Sequence, residues 1–353
     1  MSNKKIVFYL ESIQRGGAEV NLLRFFQEAS RLSVSQDNDN YSLVYRNESD
    51  PNLLNEFQDV VEVHRVTNGS RVDADIAIYC STHDSKFFFE SVNAKVNKYW
   101  MCTDPSVYIN LTSSITQKYD DYLACSNYLK QRFIDTYPDF EKRNITVINP
   151  LVDPQRIISL GNKPQTTIDP SGFNIVTAAR VCQLKGYDHY VEIAKILHDR
   201  GLNFKWYYAG RIDEESKAYN DKLRRKVREY GLTNQFIWLG VRVNPYRYMK
   251  VCDLSVILSN LETYCMVVAE SKMLGLPIIG TNNSGIAEQL TGYSNGLLVN
   301  PTDYEMIADV ITEMYHGNNR SLSKKILSDR EIKDTKDTFD NNVQRMREFF
   351  AKV

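Results

Sequence analysis

One stretch, Asp253 to Glu288 (DLSVILSNLETYCMVVAESKMLGLPIIGTNNSGIAE), constrains the fold more than any other part of the chain. It opens with an apolar run, Leu254 to Leu258, of the length of a buried parallel strand. A polar break, Ser259-Asn260-Leu261-Glu262-Thr263, follows. Met266 to Leu274 then reads as a short helix, and Gly275-Leu276-Pro277 turns the chain into a second strand, Ile278 to Gly280. Strand, loop, helix, strand is the repeating unit of an open α/β sheet. Such sheets bind ligands in loops at the carboxyl ends of their strands.

Two carboxylates frame the loop. Glu262 stands just before the helix, where a carboxylate caps free backbone N–H groups or meets a ligand. Glu270 interrupts an apolar face made by Val267, Val268, Met273 and Leu274. A carboxylate in such surroundings requires hydroxyl or amide partners, and the hydroxyls of a sugar would supply them.

The same alternation runs through the rest of the chain. Lys5 to Leu10 reads as a buried strand ending in Gly16-Gly17-Ala18-Glu19, and an amphipathic helix follows. The paired glycines make either a plain tight turn or a place where a ligand approaches the helix N-terminus. Further strands are expected at Asp75 to Cys80, Lys98 to Cys102, Tyr122 to Ala124 and Ile145 to Ile148, with Ser126 capping a helix. A polar segment with Pro and Gly, to Ser171, separates the halves. The second half restarts at Phe173 to Ala178, continues at Phe204 to Ala209 and Phe236 to Leu239, and adds a helix capped by Asp303. Between its first strand and helix lie Arg180 and Lys185 beside Gly186. They are either solvated loop charge or fixed cations for a departing diphosphate.

The 353 residues suffice for two domains of ordinary size. With 43 basic against 44 acidic residues, the charge balance gives no reason to expect nucleic acid as a partner. No Cys-x-x-Cys pair occurs among the six cysteines, and no Gly-x-Gly-x-x-Gly follows the first strand, which argues against a dinucleotide dehydrogenase. Asp37-Asn-Asp39 reads as a surface turn rather than a metal site, and no metal is expected. A soluble, cytoplasmic protein is expected, because no leader-like or membrane-spanning apolar segment is seen; Asn110-Leu-Thr is then a chance glycosylation triplet.

Glu262 and Glu270 with seven residues between them, Gly-x-Pro at 275–277 and Gly-x-x-Glu at 285–288 together resemble the nucleotide-sugar site of the retaining glycosyltransferases of family 4. GGAE after the first strand is a further feature of that family. The resemblance implies an α/β chain of GT-B fold, two doubly wound Rossmann-like domains facing a cleft. These would be 1–155 on the acceptor side and 172–330 on the nucleotide-sugar side, with a helix at 331–353 crossing back to the first.

It further implies a donor site made of Glu270 on the ribose, Arg180 and Lys185 on the diphosphate, Glu262 on the transferred sugar, and Tyr264, Cys265, Met266, Gly16 and Gly17. Thr263 stands where the family commonly has Gly. Cys102 stands where it commonly has His, within Trp-x-His-x-Asp, so Cys102 and Asp104 fall on the acceptor or sugar side. His83 is the candidate to take over the missing role.

The activity implied is retaining transfer of a sugar, UDP-linked by preference, to a glycan or polyprenyl-linked acceptor in cell-surface or capsular polysaccharide synthesis, with no metal or other cofactor. Peripheral contact with the inner membrane face would accompany a lipid-linked acceptor. Two alternatives stay open, a non-catalytic glycosyltransferase-like partner subunit and another GT-B enzyme such as a phosphorylase, hydrolase or epimerase.

Overall fold

Parallel strands need long crossover connections, usually helical, and every pairing among the described residues is parallel. The structure, a computed structural model, describes residues 4–32, 39–81, 85–107, 118–319 and 321–353. His83, Asp37 and Asn110, singled out above, lie outside the described residues.

One sheet contains β1 (Lys5–Leu10), β2 (Asn40–Tyr45), β3 (Glu62–Arg65), β4 (Val72–Tyr79), β5 (Val92–Met101), β6 (Asp121–Ala124) and β7 (Ile145–Val147), in the order β3-β2-β1-β4-β5-β6-β7. The other contains β8 (Phe173–Ala178), β9 (Phe204–Ala209), β10 (Phe236–Gly240), β11 (Leu254–Ile257), β12 (Ile278–Thr281) and β13 (Gly296–Val299), in the order β10-β9-β8-β11-β12-β13. The winding direction reverses between β1 and β4 and again between β8 and β11. At such a point the loops leaving the carboxyl ends part and form a crevice.

The chain divides into two compact units, Met1–Leu151 with Asp337–Val353, and Val152–Lys336. In the first unit, side chains alternate across β1. Ile6, Phe8 and Leu10 face the helix Gly17–Leu32 and the C-terminal helix Asp329–Ala351 in one core. Phe8 meets Phe26 and Phe350 edge-on at ring separations of 5.0 and 4.9 Å. Tyr9 points to the opposite face and packs on Tyr79 and Phe88. The last carbonyls of the C-terminal helix lack intrahelical donors. Lys98 Nζ donates to Phe349 O, and Lys4 Nζ donates to Ala351 O at 2.5 Å. Burial of Lys98, whose side chain is fully covered, lowers its pKa to about 8.

In the second unit Ile175 on β8 faces Tyr190, Val191 and Leu197 of the helix Tyr187–Asp199 and Ile307 of the helix Tyr304–Tyr315. Its neighbour Val176 faces the other side, among Ile157, Met249, Leu274 and Leu276. Ile157 belongs to a helix, Pro154–Gly161, inside the stretch read from sequence as a polar linker. Asp153 caps it through Arg156 N at 3.0 Å. Gly161 ends it where a Cβ would lie 2.8 Å from Leu274 Cδ2, so the helix packs closely rather than hanging loose. Asp303 occupies the N-cap position expected of it, although its side chain makes no capping bond.

Candidate active site

The loop from Ser259 to Cys265 leaves β11 at the reversal point of the second sheet. Contacts on both sides fix it. Thr281 Oγ1 donates to Ser259 O at 3.1 Å. Asn260 donates through its backbone N to Leu184 O and through Nδ2 to Gln183 O, each at 2.9 Å, which ties this loop to the one after β8. His189 stands behind it, with Nε2 3.0 Å from Asn260 Oδ1 and Nδ1 3.0 Å from the Tyr304 hydroxyl.

On the far side Gly285 N donates to Glu262 O at 3.0 Å, and a Cβ at Gly285 would lie 2.3 Å from Thr263 O. The glycine of Gly-x-x-Glu is therefore a steric requirement of the loop. Gln289 Nε2 donates to Cys265 O at 3.0 Å and also reaches Tyr264 O. These bonds hold Cys265 at φ +67°, a left-handed conformation that non-glycine residues adopt only under constraint. Tyr264 and Cys265 lead into the helix Met266–Met273, where Val268 N donates to the N-cap carbonyl of Cys265 at 3.1 Å.

The charged side chains meet on this frame. Lys185 Nζ donates to Glu262 Oε1 at 2.6 Å, and Ser259 Oγ to the same oxygen at 3.2 Å. Burial presses Lys185 toward its neutral form, but the Glu262 carboxylate outweighs burial and raises the lysine pKa above its ordinary value. The positive charge of Arg180 reaches Lys185 as well. Arg180 Nη1 pairs with Asp213 Oδ2 at 3.3 Å, and Asp213 also takes Arg211. Glu270 is buried and accepts from the Tyr246 hydroxyl at 2.7 Å. Arg180, Lys185, Glu262, Glu270, Tyr264, Cys265 and Met266 thus all lie within the second unit.

Gly16, Gly17, Cys102 and Asp104 lie in the first unit. Gly16 precedes the helix Gly17–Leu32, and the Glu19 carboxylate folds back to 2.7 Å from where its Cβ would be. Cys102 follows β5 and packs partly against the core; burial, then the nearby Cys125, Cys80 and Glu19, raise its thiol pKa well above the ordinary value. Asp104 is fully buried. Its oxygens accept from Arg132 Nε at 2.9 Å, Arg132 Nη2 at 3.3 Å, Ser106 N at 2.9 Å and Ser106 Oγ at 2.6 Å. Burial opposes its charge, but Arg132 and Ser106 together hold its carboxyl below the usual range.

The second unit is similar to a known family. Residues 161–328 match the family model described as glycosyl transferases group 1. That part of the chain is a glycosyl transferases group 1 domain. A glycosyltransferase of Methanocaldococcus jannaschii, itself uncharacterized, is 22% identical over 98% of this chain and 89% of its own length. Sucrose synthase of Thermosynechococcus vestitus is 26% identical over 48% of this chain, and the match spans only 22% of that protein. A crystal structure of Anabaena HepE in complex with UDP and glucose superimposes with a TM-score of 0.80 at 15% identity, over 99% of this chain and all of that one. The fold is accordingly GT-B, built from two Rossmann-like parallel-sheet domains.

Four side chains of the second unit that the sequence did not single out hold the candidate site in place. Asp213, Tyr246, His189 and Gln289 each position a residue identified above. Asp213 had a legible signal, since Arg211 and Asp213 follow β9 in a strand–helix loop just as Arg180 and Lys185 follow β8. The others act across 24 to 71 residues of sequence, and no local pattern marks them. Among the described residues no three His, Cys, Asp or Glu side chains converge as a metal site requires, and no helix is long and apolar enough to cross a membrane.

Proposed function

We propose that this chain is a retaining glycosyltransferase that moves a sugar from a nucleoside diphosphate sugar, UDP-linked by preference, to an acceptor hydroxyl. The observation that carries the reading is the Lys185–Glu262 pair at 2.6 Å, with Arg180 beside it, at the reversal point of a group 1 domain. A departing diphosphate gathers negative charge as the glycosidic bond breaks, and cations already in place stabilise it without reorganisation. Lys185 and Arg180 take that role, Glu262 faces the transferred sugar, and Glu270 receives the ribose hydroxyls. N–H groups near Tyr264–Met266, at the start of the helix Met266–Met273, add to the anion site.

The preference for uridine draws on the fold shared with HepE, which was solved with UDP and glucose. Retention draws on the order of the four sequence features, which is that of a retaining family. The acceptor, a glycan or lipid-linked hydroxyl of cell-surface polysaccharide synthesis, rests on the same resemblance, as do the roles of Gly16 and Gly17 and the expectation that no metal takes part.

The test is nucleotide binding and transfer in two variants. Glu270→Ala weakens binding of UDP, while Glu262→Ala keeps binding and loses transfer. Normal binding and turnover in both would overturn the assignment. A second reading, a non-catalytic partner subunit, draws on Cys102, a half-buried thiol with its pKa raised, which cannot replace an imidazole. It predicts UDP binding with no turnover of any UDP-sugar.

A further inference from the structure

Tyr246 opens the short helix Tyr246–Met249, which follows the exposed turn from Gly240 to Pro245 at the end of β10. Its ring is buried among Val176, Met249, Leu274 and Leu276, and its hydroxyl leaves this apolar company to donate to Glu270 Oε1 at 2.7 Å. Glu270 is 9% exposed, on the helix Met266–Met273 that runs from the site loop. Asn244, two residues before Tyr246, ties the turn to the Pro154–Gly161 helix through Leu160 O at 2.9 Å, so the phenol is presented from a fixed backbone.

A carboxylate on a helix swings about its own side-chain torsions, and a bound donor removes that freedom. A phenol is a single O–H donor, so it fixes one oxygen and one direction. A carboxylate accepts at both of its oxygens, and in the reading above the two hydroxyls of a ribose donate to Glu270. A sugar lacking one of them leaves part of a buried acceptor unmatched.

We infer that Tyr246 is the positioning residue that sets Glu270 for ribose, and so makes this site discriminate ribonucleotides from deoxyribonucleotides. The inference rests on the reading above in which Glu270 holds the ribose. Tyr246 acts on the site through Glu270 Oε1, so in this reading its effect falls on donor affinity alone. An interaction equal in ground state and transition state changes KM and leaves kcat unaltered.

The experiment is calorimetric titration of UDP, GDP and ADP, and of their 2′-deoxy counterparts, into the wild-type chain and into Tyr246→Phe and Glu270→Ala. For the base that binds, the wild type is expected to prefer the ribonucleotide by more than tenfold. Tyr246→Phe should bring that ratio down at least threefold, with the deoxynucleotide affinity little changed. The KM for the nucleotide sugar should rise at unchanged kcat. Both nucleotides go into one preparation, so partial unfolding lowers the stoichiometry of each and leaves the ratio intact.

An unchanged ratio in Tyr246→Phe, together with a collapsed ratio in Glu270→Ala, overturns the role of Tyr246 and keeps that of Glu270. A wild-type ratio in Glu270→Ala overturns both, because Glu270 then does not read the ribose.

Discussion

Replacing Glu262 by alanine strips Lys185 of its carboxylate. Lys185 is 17% exposed and Glu262 14%. Deleting one member of a buried pair costs about 3–5 kcal/mol, and partial access to water lowers that here to about 2–3 kcal/mol. In a unit of this size each kcal/mol moves Tm by roughly 2–4 °C, so the variant should melt roughly 4–12 °C below the wild type. A diphosphate brings negative charge back to Lys185 without competition from Glu262. The variant should therefore gain more from UDP than the wild type, by about 1.4 kcal/mol for each tenfold rise in affinity.

Differential scanning calorimetry across a UDP titration reads both effects, with Glu262→Gln as the neutral variant of similar size. The pH dependence has a definite sign. The folded-state pKa of Lys185 is raised, so its stabilisation is complete below the unfolded value of about 10.4 and is lost as pH climbs through the higher folded value. The gap between wild type and variant should hold steady from about pH 7 to 9 and close above about pH 10.4. An unaltered melting temperature, with a UDP shift no larger than that of the wild type, would refute the assignment of Lys185 to an anion.

Three further outcomes are expected. In Gly285→Ala the new Cβ meets the backbone of Thr263 and Tyr264, which cannot yield as a side chain would, so about 1–3 kcal/mol of stability and at least about tenfold in nucleotide affinity should go together in melting and titration experiments. Lys98 has a lowered folded pKa, and the unfolded chain binds more protons between about pH 8 and 10.4. Wild-type stability should rise over that window, and Lys98→Met should flatten the rise by about 3 kcal/mol in denaturant titrations. Cys102→His should raise the transfer rate; a fall would place the reacting groups elsewhere.

The strands that read most clearly in sequence are those buried on both faces. Lys5–Leu10, Phe173–Ala178 and Phe204–Ala209 occupy the spans expected of them, because a central parallel strand leaves nearly every position apolar. At the edge of the first sheet, β3 (Glu62–Arg65) is four residues long and mostly exposed, so nothing in EVHR announces a strand. Glu262, Glu270, Arg180 and Lys185 could be put forward from sequence because they lie in strand–helix loops or in the helix that follows one, at a characteristic spacing. The pairing of Lys185 with Glu262 was not legible, since 77 residues separate them and only the parallel order of β8 and β11 brings their loops together. Tyr246 looked like one more core aromatic because its ring is one. Its hydroxyl becomes informative only when Glu270 is found 2.7 Å away.

What makes loops rigid enough to serve as a site is visible at three glycines. A Cβ at Gly186 would lie 2.2 Å from Leu258 O, one at Gly210 1.8 Å from Ala179 O, and one at Gly285 2.3 Å from Thr263 O. Each contact is backbone against backbone, and each joins the loops of neighbouring strands, so the carboxyl edges of β8, β9, β11 and β12 lock into one packed rim. Cations and carboxylates carried on such a rim keep their places as helix-borne residues do. The charges named on the rim are paired, Arg180 and Arg211 with Asp213 and Lys185 with Glu262, with one more cation than carboxylates. An anion entering it must draw Lys185 away from Glu262 or share it. Under the proposed function, sharing would bring the carboxylate up against the sugar being transferred, the place proposed for Glu262.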